Sequence, residues 1–176
     1  MRYFLCILFI LFFSASGWAL EIESDVFENG GDMSSKYAYG FDNVSPPLRW
    51  NGVPAGTVSL ALICDDPDSP SGKWTHWIIF NIPAKTALLP EGIPKEAVLE
   101  DGSTQGTNDF GRLGYDGPYP PPGKPHRYFF RLYALNETLN LSGAAARNDL
   151  LKAIRGHIIS ESETFCLYPV RENPSR

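Results

Sequence analysis

Basic clusters are missing from this chain: its 15 Lys and Arg residues are scattered, form no run, and are not interleaved with its aromatic residues. Against 20 Asp and Glu they leave a formal charge of −5, so a nucleic-acid partner has no electrostatic footprint to grip. No basic amphipathic helix offers itself to an anionic membrane surface. Hydrolytic and metal motifs are missing too: the chain has no HExxH, no Gly-x-Ser-x-Gly and no Cys/His spacing suited to zinc. Internal repeats are absent. The longest apolar run, Tyr3 to Phe13, is 11 residues, well short of the ~20 that a bilayer-spanning helix requires.

That short run has another use. Arg2 gives it a positive start, and Ser14-Ala15-Ser16-Gly17-Trp18-Ala19 follows with small residues at cleavage-compatible positions, the pattern of a secretory signal. Residues 1–19 are read as a cleaved signal and 20–176 as one domain, periplasmic or secreted, with no membrane span in the mature chain. At 176 residues and 43% hydrophobic side chains the chain can bury a real core. Cysteine is scarce: Cys6 leaves with the signal, and Cys64 and Cys166 remain. Export permits a disulfide between them. Each also suits a packed, unpaired thiol, and both alternatives stay open at this point.

Helical signals are scarce, and strand signals dominate. Val58 to Cys64 and Trp77 to Ile82 are apolar runs too short for helices, as expected of strands buried on both faces. Arg127 to Leu135 alternates Arg127, Phe129, Arg131 and Tyr133 against Tyr128, Phe130, Leu132 and Ala134. Weaker strands are expected near Ile22 to Phe27 and Leu48 to Trp50, and a further one within His157 to Tyr168. Arg147 to Arg155 reads as one short helix, with acid in its first turn, base in its last and Gly156 as its stop.

Two loops carry the chemistry. Asp65-Asp66-Pro67-Asp68-Ser69-Pro70 is a stiff acidic turn in which proline fixes the backbone and holds Asp66 and Asp68 with little freedom. His76 follows at the mouth of the next strand. The long stretch from Pro83 to His126 is rich in Gly and Pro and too long for an idle connection. It ends in Gly114-Tyr115-Asp116-Gly117-Pro118-Tyr119-Pro120-Pro121-Pro122-Gly123, then Lys124-Pro125-His126-Arg127-Tyr128. By period-2 alternation His126 and Tyr128 share a face. If the two strands are neighbours, two histidines, two aspartates, a phenol and backbone donors converge on one pocket.

These segments, with Ser45-Pro46-Pro47-Leu48-Arg49-Trp50 and Trp74-Thr75-His76-Trp77, resemble in order and spacing the phosphatidylethanolamine-binding or Raf kinase inhibitor-like family, most closely its bacterial branch. The resemblance covers nearly the whole mature chain. It implies a mainly β fold, two packed antiparallel sheets with Greek-key connections and a few short peripheral helices. It also implies a binding protein rather than an enzyme, without cofactor or metal, whose partner is a small anion such as phosphate, a phosphorylated headgroup or a carboxylate. The implied ligand-binding residues are Asp66, Asp68, Pro70, Trp74, His76, Gly117, Pro121, His126 and Tyr128. The chain has Tyr119 where eukaryotic members have a second glycine, so a ring is expected at the pocket entrance. On physical grounds Asp66 or Asp68 is expected to hold His76 or His126 in its charged form.

Two other readings stand beside this one. Paired His and Asp could be a general acid/base set, although the motifs of a small hydrolase are absent. The chain could instead act through protein contacts, as a protease or kinase inhibitor or an exported effector, with Tyr115 and Tyr119 either as exposed anchors or as packing over the pocket rim.

Overall fold

The three long apolar runs become the three central strands of a sheet, and their continuity has a simple cause: the sheet is covered on both faces. In the computed structural model, which describes residues 19–168, β3 (Ser59–Asp66) is buried at every position. It lies between β4 (Trp74–Pro83) and β7 (His126–Leu135), both antiparallel to it. The short β6 (Thr104–Gln105) extends the β4 side and β8 (Ile158–Tyr168) the β7 side. The spatial order is β6-β4-β3-β7-β8. Three strands thus follow one another, and β7 returns past them to lie beside β3, which is a Greek-key path.

A smaller antiparallel sheet, ordered β1-β2-β5, is formed by β1 (Glu21–Glu23), β2 (Leu48–Asn51) and β5 (Leu88–Leu89). Its Ile22, Leu48, Trp50 and Leu89 pack on Leu60, Leu62, Cys64, Trp77, Ile79, Tyr128, Phe130 and Leu132 of the larger one. The opposite face of the large sheet, including Ala61, Ile63, Ile78, Phe80 and Leu135, is covered by α1 (Arg147–Ala153) through Leu150 and Ile154. Gly156 follows with φ +85°, a conformation glycine adopts without strain, and ends the helical path. Among the described residues α1 is the one α-helix, accompanied by a single 3-10 turn (Ser35–Tyr37), so the periphery holds less helix than expected. None of the described helices is long and apolar enough to cross a membrane.

Asp65 is the price of covering both faces. Its carboxylate is fully buried on the helix side of β3 and is held by Arg147 (3.0 Å), Arg131 (3.5 Å) and the Thr75 hydroxyl (3.2 Å). A buried charge tolerates such a position only when it is paired and hydrogen-bonded.

The structure decides the cysteine question against a bridge. Cys64 and Cys166 are both buried, free thiols on the face that meets the small sheet. Cys64 lies opposite Phe130 and Cys166 opposite Tyr128, so the whole of β7 stands between them. Two strand spacings are about 9.5 Å, beyond the ~7 Å limit between Cα atoms for a disulfide. The proposed signal, apart from Ala19, lies outside the described residues.

Candidate functional site

At one end of the large sheet, β3 and β4 fall out of regular register, and this misfit builds the site. Cys64 pairs with Trp77 but the next residue, Asp65, pairs with Thr75, so His76 is an extra residue on β4. Such a bulge re-aims side chains. Thr75 faces Asp65 and the helix side, whereas both Trp77 and His76 turn away from it, Trp77 into the core and His76 into a cavity beside it. On β3 the alternation sends Asp65 to the helix side and Asp66 to the cavity. His126, at the start of β7, reaches the same place.

The cavity has a volume of about 380 Å³. Asp66, His76 and His126 form its polar floor, Trp74, Phe110 and Tyr119 its aromatic walls, with Pro120, Pro121, Ser69 and Ser71 at its margin. The hollows of comparable size at Arg131, Tyr133, Glu161 and Glu163, and at Ile22, Phe27, Arg49 and Thr164, have no histidine. No set of three or more His, Cys, Asp or Glu among the described residues is arranged to hold a metal ion.

The two histidines are held differently. His126 Nδ1 donates to Asp66 Oδ2 at 2.7 Å, and both side chains are buried. Asp66 Oδ1 meanwhile accepts from the Asp68 backbone N–H at 2.8 Å, locking the acidic turn on itself. His76 has no carboxylate partner: its Nδ1 donates to the backbone carbonyl of Asp116 at 2.7 Å. Burial pushes the His76 pKa below the ordinary histidine value, against the opposing pull of the Asp116 and Gly117 backbone and the Asp66 and Asp65 charges. The expectation that a carboxylate keeps this ring charged is therefore corrected for His76; desolvation wins.

Asp116 is the strut behind that ring. Its carboxylate is completely buried and receives Lys95 Nζ (2.8 Å), Arg112 Nε (2.9 Å), Asn43 Nδ2 (2.7 Å) and Asn108 Nδ2 (2.9 Å). Burial raises its pKa, but the Lys95, Asn43 and Asn108 hydrogen bonds outweigh that and hold it below the usual carboxylate value. Arg112 also lies over the Tyr39 ring at 4.8 Å and the Phe110 ring at 5.5 Å, fixing the aromatic wall. Phe110 in turn stands edge-on to Trp74 and to His76.

Of the nine expected ligand residues, Asp66, Trp74, His76, Pro121 and His126 line the cavity and four do not. Asp68 turns away into a two-pronged pair with Arg127 (2.6 and 2.8 Å), which also donates its backbone N–H to it. Those Arg127 hydrogen bonds pull the Asp68 pKa to about 2. It fastens the turn to β7. Pro70 is exposed beyond the margin. Gly117 is buried, its N–H already given to Asn43 Oδ1 (2.8 Å), and a Cβ there would overlap the Tyr37 carbonyl oxygen. Close chain packing is therefore reason enough for glycine at this position. Tyr128 lies just beneath the floor, edge-on to His76 with ring centroids 5.1 Å apart. Its hydroxyl is buried without a well-formed hydrogen bond, and burial with the nearby Asp66 charge raises its pKa strongly. The Trp74 indole Nε1 is likewise buried and unpartnered.

Sequence reasoning missed Phe110, Ser69, Ser71 and Pro120. Phe110 is an aromatic in the turn Asn108-Asp109-Phe110-Gly111, where a large apolar residue has no packing reason unless something covers it; that was the available signal. Of the two loop tyrosines, Tyr115 is buried and donates to the Tyr37 carbonyl (2.9 Å), whereas Tyr119 is 59% exposed, stands against Tyr39 and lines the cavity entrance.

Residues 23–169 match the model of the family described as phosphatidylethanolamine-binding protein. The chain belongs to the phosphatidylethanolamine-binding protein family. A UPF0098 protein of Methanothermobacter thermautotrophicus is 50% identical over 149 residues, 85% of this chain and 98% of the relative. YbcL of Escherichia coli, a UPF0098 protein, is 41% identical over 138 residues, covering 73% and 75% of the two chains. Among solved structures, a phosphatidylethanolamine-binding protein homologue from Chlamydia trachomatis superimposes with a TM-score of 0.79 at 35% identity, covering 87% of this chain and 99% of the other. The crystal structure of YbcL, described as a new member of the mammalian family, gives a TM-score of 0.79 at 30% identity, covering 88% and 100%. The sandwich and its Greek-key sheet are thus the family's fold, with bacterial and archaeal relatives.

Proposed function

We propose that this phosphatidylethanolamine-binding protein homologue is an exported, non-catalytic binding protein whose cavity takes a small oxyanion: phosphate, a phosphorylated headgroup or a carboxylate. The observation that carries the reading is a pair of buried donors without a well-formed hydrogen bond, Trp74 Nε1 in the cavity wall and Tyr128 Oη just beneath its floor, beside Asp66. An unmet buried donor costs free energy, about 1–3 kcal/mol each, and a bound oxyanion relieves that cost. His126 adds a third donor through Nε2 when its ring is doubly protonated, and Asp66 then balances its charge. No serine or cysteine at the cavity is held against a histidine or carboxylate by a described hydrogen bond, and Ser69 and Ser71 bond each other, which weighs against the hydrolase reading.

The test is a titration of the mature chain with inorganic phosphate, phosphoethanolamine and acetate, followed by amide and imidazole NMR shifts. The expected result is saturable movement of His76, His126 and Trp74 signals with Arg131 and Tyr133 unmoved; no movement with any of the three defeats the reading. Export is tested by sequencing the N-terminus of the secreted product, which is expected to begin at Leu20. Protein contact remains a second reading because Tyr119 presents an exposed ring at the entrance; a Tyr119→Ala variant that keeps phosphate binding but loses an inhibitory activity would favour it.

A further inference from the structure

The cavity's polar groups do not suit every oxyanion equally. Among the described residues no Lys or Arg lines it: Arg127 is bound to Asp68, and Arg112 and Lys95 are bound to Asp116. The one fixed charge on its floor is the Asp66 carboxylate, an acceptor only. A fully ionised dianion would meet that carboxylate with no described Lys or Arg in the lining to balance it.

His76 sharpens the point. Because Nδ1 donates to the Asp116 carbonyl, the neutral ring carries its lone pair on Nε2, the one polar ring atom left for the cavity. The groups facing this ring are Asp65 and Asp66 on β3, Tyr128 and His126 on β7, and Asp116 with its partners Arg112 and Lys95 on the long connection. Burial lowers the ring's pKa despite the acids among them, which favours the neutral form. The site thus offers a donor in its wall, Trp74 Nε1, with Tyr128 Oη beneath the floor toward Asp66, beside acceptors at His76 Nε2 and the Asp66 carboxylate. A ligand that matches this set has oxygens to accept and one hydroxyl to donate. An oxyanion without a proton sets its own lone pairs against the His76 lone pair, leaving a buried acceptor unmet.

We propose that the cavity selects oxyacids that still carry a proton, singly protonated phosphate and phosphomonoesters, over proton-free ones such as sulfate and phosphodiesters, with His76 Nε2 as the acceptor that reads the proton. This rests on the oxyanion reading above and narrows it. One consequence is that a phosphodiester, the linkage of an intact phospholipid headgroup, is the wrong ligand, whereas free phosphate and a monoester headgroup are right ones.

The test is calorimetric titration of the full mature chain with inorganic phosphate, phosphoethanolamine, glycerophosphoethanolamine and sulfate. At about pH 6, near the second ionisation of a phosphomonoester, phosphate and phosphoethanolamine are expected to bind at least roughly tenfold more tightly than the other two. Raising the pH by two units should weaken phosphoethanolamine more than tenfold, as its remaining proton is lost. His76→Asn keeps a donor near the Nδ1 position and removes Nε2, and should bring the phosphate-to-sulfate ratio toward one; if that variant fails to fold, the wild-type series decides alone. Sulfate or the diester binding within threefold of phosphate overturns the proton selection and leaves the oxyanion pocket standing. Failure of all four ligands to bind overturns both.

Discussion

Replacing Asp68 by Asn separates a fastener from a ligand residue. The side chain keeps its shape but loses the charge that draws Arg127 into a two-pronged pair, 2.6 and 2.8 Å long. Its pKa falls from 3.8 to about 2 in the folded chain, a difference that sets an upper bound of roughly 2.5 kcal/mol at 1.36 kcal/mol per unit. Arg127 is 49% exposed and Asp68 28%, so solvent screening reduces the expected loss to about 1 kcal/mol. A folded pKa below the unfolded one means stability that is present above pH 3.8 and disappears as the pH falls toward 2. Urea unfolding at neutral pH should therefore show the variant about 1 kcal/mol less stable, and the gap between the two proteins should close on acidification to about pH 2. Phosphate affinity should change less than threefold, because Asp68 does not line the cavity. Equal stability at neutral pH, or a gap that persists in acid, would refute the fastener; a tenfold loss of phosphate affinity would return Asp68 to the ligand set.

Gly117→Ala should cost about 2 kcal/mol or more, since its Cβ overlaps the Tyr37 carbonyl and the chain must shift; a melting temperature within a degree of wild type contradicts that packing. Cys64 and Cys166 should each be alkylated in unfolded, unreduced protein and protected in folded protein, as read by peptide mass; a linked peptide pair refutes the separation across β7. Nitrogen-15 NMR should find His76 as the neutral Nδ1–H tautomer at neutral pH and titrating below the ordinary histidine value; an imidazolium signal at neutral pH removes the basis for its lone pair. Asp116→Leu should destabilise by about 3–5 kcal/mol by leaving Lys95, Arg112, Asn43 and Asn108 without their shared acceptor, measured by chemical unfolding.

The large sheet was legible because its three central strands are buried on both faces, and that condition writes itself as continuous apolar sequence in β3 and β4. Helix α1 was legible from Leu150, Leu151 and Ile154 at helical spacing. The disulfide question was not, because residue type and compartment say nothing about the strand that separates Cys64 from Cys166. In the site, the two loops are legible, yet the structural partners of Asp68 and Gly117 are not. An aspartate in a stiff turn looks the same whether it faces a ligand or an arginine sixty residues away, and the glycine's constraint is the Tyr37 carbonyl, far off in sequence. The inward aim of His76 was hidden too, since it depends on a bulge set by pairing with β3.

What these corrections share is the deployment of charge around the cavity. Arg127, Arg112 and Lys95, described cations near the cavity, are all committed to aspartates that brace its walls: Asp68 for the turn, Asp116 for the His76 ring. Had any of them lined the cavity, a dianion would be the natural guest and His76 would be a minor contributor. With them withdrawn, the proposed recognition falls to neutral donors and to one lone pair whose direction is set by a backbone carbonyl. A surface of that kind discriminates by hydrogen-bond polarity, because a buried donor or acceptor left unmet costs more than a well-made hydrogen bond contributes. It also explains the investment in bracing: selection by hydrogen-bond direction needs the His76 ring held in one orientation, and the buried Asp116 network holds it.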